Sequence, residues 1–123
     1  MKLVLIGGYP KGFDVPFHPK TASGRILRKI VDDLKLDPIY FDLWENEQEE
    51  DSRQLKTKVK KELQNFENKG YVLISLGRYI EKVLDDNDIK SHYLPHPASR
   101  DKKYIDFLRE GLDQKGIKKF KKV

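Results

Sequence analysis

In the stretch LPHPASR, residues 94 to 100, His96 stands between Pro95 and Pro97. Proline fixes its own φ and pushes the residue before it toward extended geometry, so this pair leaves the imidazole few conformations. A ring held that way is a candidate for being aimed at a ligand. A second unusual stretch, GGYPKGFDVPFHPKTASG at residues 7 to 24, combines Gly7, Gly8, Gly12 and Gly24 with Pro10, Pro16 and Pro19. A loop this long inside a small domain is functional or disordered, and its prolines and aromatics argue for order. GGYPKG lacks both the lysine followed by Ser or Thr of a nucleoside-triphosphate loop and the third glycine of the dinucleotide fingerprint. What remains is a helix start at Thr21, Ser23, Gly24 and Arg25, whose amides can bind an anion or simply be capped. His18 and His92 join no metal-ligand spacing, so no metal and no cofactor are expected.

The elements that must position these residues follow from the hydrophobic pattern. Four apolar runs of strand length occur: KLVLIG (2 to 7), PIYFDLW (38 to 44), YVLISLG (71 to 77) and IKSHYLP (89 to 95). They lack clean alternation, as strands covered on both faces do. Helical patterns separate them. Ile26, Leu27, Ile30, Val31 and Leu34 form one stripe with Ser23 as cap. Leu55, Val59, Leu63 and Phe66 form a second with Ser52 as cap and Gly70 beyond the end, GRYIEKVLDDN gives a third, and Tyr104, Ile105, Leu108 and Leu112 a fourth. Four β-α units predict an α/β fold, a three-layer α/β/α arrangement around a four-stranded parallel sheet. Ligands in such folds collect outside the carboxyl ends of the strands, where every unusual segment of this chain falls. Trp44, at the end of the second strand, is expected in the core edge in preference to a ligand site.

The chain of 123 residues is read as one domain, with a basic tail from about residue 115 that is expected to fray. Its net charge of +5 permits an anionic partner without demanding one. The charge is unevenly spread: ENEQEED at 45 to 51 is an acidic loop, while Lys11, Lys20, Arg25, Arg78 and Arg100 come from loops at the proposed rim. The absence of cysteine excludes disulfides, thiolate metal sites, iron–sulfur clusters and a cysteine nucleophile. No apolar run is long enough to span a bilayer and no signal peptide is visible, so a cytoplasmic monomer with no membrane partner is expected.

Taken together, IGGYP after the first strand, VPF followed by ASGRIL, ISLGRYIEKVL, and YLPHPASR before IDFL resemble the uracil-DNA glycosylase superfamily. The resemblance spans nearly the whole chain as a scaffold, although each match is short. It implies a DNA N-glycosylase of the base-excision-repair type, a hydrolase acting on DNA or on a nucleobase-containing small molecule. By the same resemblance Phe17 stacks on the extruded base, with Gly8 and Tyr9 beside it. His96 donates a hydrogen bond to a base carbonyl as the bond breaks, and Ser99 and Arg100 grip backbone phosphate. Ser23, with Lys20, Arg25 and Arg78, adds anion contacts at the rim.

The chain also departs from the family. Where the motif after the first strand carries a carboxylate or amide that positions water, this sequence has Gly8, and Asp14 in the same loop is the candidate replacement. Where an asparagine reads the base edge, it has Asp42, with Asn46 available after a local shift. An ionised carboxylate only accepts hydrogen bonds, so Asp42 would favour a base edge with adjacent donors, such as guanine, over uracil. Two alternatives stay open beside the enzyme: a binding module that keeps the base pocket without chemistry, and an interaction protein that uses its acidic loop.

Overall fold

The computed structural model describes residues 2–98 and 101–121, with side chains to residue 113. β1 (Leu3–Gly7), β2 (Ile39–Asp42), β3 (Val72–Leu76) and β4 (His92–Leu94) form a four-stranded sheet in the order β2-β1-β3-β4. Every pairing is parallel, with Leu5 opposite Tyr40 on one side and Ile74 on the other. The helices are α1 (Ala22–Asp33), α2 (Glu47–Ser52), α3 (Thr57–Asn68), α4 (Arg78–Asp86) and α5 (Lys102–Lys121).

Both central strands are buried along their whole length, which explains their unbroken apolar runs. Successive side chains of a strand point to opposite faces. Leu3 and Leu5 therefore pack with Leu27, Ile30 and Val31 of α1 and Leu108 and Leu112 of α5. Val4 and Ile6 pack on the other side with Leu63 of α3 and Ile80, Val83 and Leu84 of α4. Helices cover both faces of the sheet, and the chain is α/β as its alternation predicts. No helix among the described residues is long and apolar enough to cross a membrane.

Several local expectations need correction. Thr21, in extended geometry, caps α1 by accepting from the Gly24 amide at 2.9 Å, so Ser23 falls inside the first turn and is buried there. Ser52 does not start α3; it closes α2, donating to the Glu49 carbonyl at 2.6 Å, and α3 begins without a side-chain cap at Lys56. The acidic stretch is a helix, not a loop. Asn46 caps it, accepting from the Glu49 amide at 2.9 Å, and Glu47, Glu49 and Glu50 lie in the first turn, where the helix dipole favours negative charge. Tyr104 is 49% exposed, because Ile105, Leu108 and Leu112 define the packed face of α5 and Tyr104 flanks it. The backbone of that helix runs on to Lys121. Gly70 does follow α3, at φ +79°.

Candidate functional site

Beyond the carboxyl ends of the strands lies a cleft of about 510 Å³. It opens between the segment after β1 (Gly8, Tyr9, Pro10, Lys11) and the segment after β3 (Gly77, Arg78, Tyr79, Ile80). The chain leaves β1 toward one edge of the sheet and β3 toward the other, so the crevice lies at the topological switch point.

Phe17 closes one side. The loop that carries it is tightly held: Arg28 of α1 donates to the Phe17 carbonyl at 2.6 Å and the Pro16 carbonyl at 2.9 Å while stacking over Tyr40 at 4.3 Å. Thr21 ties the His18 carbonyl at 2.8 Å, and the Phe13 and His18 rings stack at 4.3 Å. These contacts hold Phe17 at φ 51°, a left-handed conformation that an aromatic residue adopts only when its surroundings impose it. Its ring lies against the end of β1, so close that a Cβ on Gly7 would sit 2.5 Å from Cζ. Ser23 lines the same side from the first turn of α1.

His96 lines the cleft beside Gly77. Pro95 and Pro97 are buried, and the backbone amide of Ala98 donates to His96 Nδ1 at 3.0 Å. A ring nitrogen that accepts is unprotonated, so the neutral imidazole carries its hydrogen on Nε2 and is a donor there. Burial, with a smaller contribution from Lys11, lowers its pKa and favours that neutral form. Gly77, at φ +100°, packs against the ring; a Cβ there would lie 3.4 Å from His96 Cβ. Gly77 also starts α4 with no side-chain cap, which leaves first-turn amides at the cleft as an anion-favouring edge. Arg78 adds a cation, packed at 3.5 Å on Tyr93 and paired with Glu81 at 2.7 Å.

A third wall is acidic. Asp42 ends β2, and its Oδ2 is buried with no hydrogen-bond partner. Burial, and secondarily Glu50, pushes its pKa up to about 7. Glu50 and Asp51 reach the cleft from α2, which is anchored where Tyr79 donates to the Glu50 carbonyl at 2.5 Å and the Trp44 indole donates to the Gln54 carbonyl at 2.8 Å. Trp44 is buried in the core, as expected. The Glu50 carboxyl is also raised, chiefly by burial and then by Asp51, with Lys11 opposing. Burial and the charges of Glu47, Glu50 and Asp51 likewise raise the Tyr9 hydroxyl.

Of the residues singled out from sequence, the cleft brings together Gly8, Tyr9, Lys11, Phe17, Thr21, Ser23, Asp42, Arg78 and His96. Asp14, Lys20 and Arg25 are exposed and do not line it. Asn46 does not line it either, since its side chain is committed to capping α2. Ser99 and Arg100 lie outside the described residues. Sequence reasoning missed Glu50 by treating the acidic stretch as a solvated loop. The available signal was Asn46 followed three residues later by Glu49, a reciprocal capping pair in which Asn46 Nδ2 also reaches Glu49 Oε2 at 3.3 Å. Among the described residues no group of three or more His, Asp or Glu is arranged to hold a metal ion.

Phe17 is mostly buried in the core beside α1 and lines the cleft with what remains exposed. The arrangement can place a flat ring beside it, donate from His96, read a polar edge with Asp42, and receive an anionic group at α4, Arg78 and Lys11. Compared with protein-family models, with curated proteins and with solved structures, the chain finds no match in any of the three.

Proposed function

We propose that the chain receives a nucleobase in this cleft and cleaves the N-glycosidic bond joining it to deoxyribose, in the manner of the uracil-DNA glycosylase superfamily that its loops resemble. The observation that carries the reading is that Phe17 and His96, far apart in the chain, line one cleft at the switch point of the sheet. A base entering there stacks on the Phe17 ring, and the Nε2 hydrogen of His96 bonds a carbonyl oxygen of the base. When the bond from the sugar carbon to the base nitrogen breaks, its electron pair leaves with the base. A fixed neutral donor stabilises the resulting anion without rearranging. Arg78, Lys11 and the α4 amides suit the neighbouring phosphate.

The test is incubation of the purified protein with single- and double-stranded oligonucleotides containing uracil, hypoxanthine, xanthine or another modified base. Alkali-labile abasic product from at least one of them is expected, and its loss in His96→Ala. No abasic product from any substrate overturns the cleavage reading. One observation favours a second reading, binding of a free base or nucleotide without chemistry: the acidic α2 stands beside the cleft and repels a polynucleotide backbone. Thermal stabilisation by free nucleobases or nucleotides, without turnover, is its signature.

A further inference from the structure

A Cβ built on Gly8 falls onto Glu50 Oε2, with Glu50 Cδ at 3.3 Å and Trp44 Cε3 at 3.9 Å. Gly8 has no left-handed φ that would demand glycine. What the missing side chain provides is room: the carboxylate of a residue on α2 occupies the space where a side chain at the end of β1 would stand. Asn46 at the cap, Tyr79 at the Glu50 carbonyl and Trp44 at Gln54 fix α2 in place, and Arg53 lies over the Tyr79 ring at 4.9 Å. Glu50 and His96 line the same cleft.

From this geometry we infer that Glu50 is the catalytic base of the site, a carboxylate supplied by α2 through the gap that Gly8 leaves. The inference rests on the glycosidic-cleavage reading above. Hydrolysis needs a group that takes a proton from water and faces the positive charge developing on the sugar, and carboxylates serve both ends. The water oxygen forms a bond to the anomeric carbon, and its proton passes to the Glu50 carboxylate. The carbon–nitrogen bond breaks, its electrons leave with the base held at His96, and the base then takes a proton from solvent. Glu50 releases its proton to solvent, which completes one water consumed per bond cleaved.

The titratable and charged groups around Glu50 are Asp42 on β2, Tyr9 and Lys11 after β1, Glu47 and Asp51 on α2, and Tyr79 on α4. Burial and the acids outweigh Lys11 and hold the carboxyl above its usual range, which suits a base working nearer neutrality.

Single-turnover cleavage and substrate binding, measured separately, test the assignment. Glu50→Gln should slow cleavage about 100-fold or more while oligonucleotide affinity is unchanged or tighter, and should abolish the acid limb of the pH–rate profile. Glu45→Gln, an exposed acid outside the cleft, should cleave normally. Returning the carboxylate from the segment after β1 in the pair Gly8→Asp with Glu50→Ala should recover part of the rate that Glu50→Ala loses. A Glu50→Gln protein that cleaves at the wild-type rate with an unaltered pH profile overturns the assignment and leaves the cleavage reading standing. A wild-type protein inert toward every base overturns both.

Discussion

Asp42 makes the clearest demand at the scale of single residues, because its Oδ2 is buried without a partner and its pKa stands at about 7 instead of 3.8. An acid whose folded-state pKa is raised binds its proton more tightly when folded. Its contribution to stability is therefore fully present below about pH 4, declines as pH rises toward 7, and stays lost above that. One pKa unit corresponds to about 1.4 kcal/mol, so the full loss is on the order of 4 kcal/mol. Asp42→Asn should melt higher than wild type at pH 8, with the advantage shrinking toward pH 4; equal melting temperatures at pH 8 would show that the carboxylate is already compensated. Ligand choice should follow the same titration. The protonated carboxyl offers a donor and an acceptor like an amide and suits uracil, whereas the ionised form only accepts and suits the adjacent donors of guanine. His96 contrasts with it: Ala98 at Nδ1 and burial both favour one neutral tautomer, and the residue acts through geometry.

Among the elements, the start of α1 decides where Phe17 goes. Gly24 lies in the first turn with the preceding loop pressed against it. A Cβ there would meet the His18 carbonyl oxygen and stand 2.5 Å from that of Phe17. Both are backbone atoms already tied, by Thr21 on one and Arg28 on the other, so the loop cannot yield cheaply. Gly24→Ala should cost about 2–4 kcal/mol despite the better helix propensity of alanine, and should weaken ligand-induced stabilisation in a thermal-shift assay. A wild-type melting temperature would show that the loop retreats freely. Strand and helix identities were legible because apolar periodicity survives in short windows: the four runs became β1 to β4 and the four stripes became α1, α3, α4 and α5. Helix α2 was not, since all its residues are polar and none is more than partly buried, leaving only the Asn46–Glu49 cap as a signal. Cap positions failed for a related reason. Thr21 and Ser23 are chemically equivalent caps, and only the loop geometry selects between them.

At the scale of the molecule, strand order brings Phe17, Asp42 and His96 to one crevice. Rigid prolines and a long glycine-rich loop marked two sides of it in the sequence. The third side, with Glu50, depends on the approach of α2 to Gly8 just beyond β1, which no local pattern carries. The same order has a consequence for how the chain is made. β1 precedes its neighbours β2 and β3 in the chain, yet it is central, flanked by both. Until Val72–Leu76 emerges, the apolar segment Leu3–Gly7 has one open hydrogen-bonding edge, and its faces have only α1 and α3 to cover them, without α4 or α5. A nascent chain halted before β3 presents a sticky template for other chains. A fragment of residues 1–70 should accumulate in inclusion bodies when expressed alone, whereas the whole chain folds. Recovery of that fragment as a monomer with a cooperative melt would mean that β1 and β2 assemble without their third neighbour.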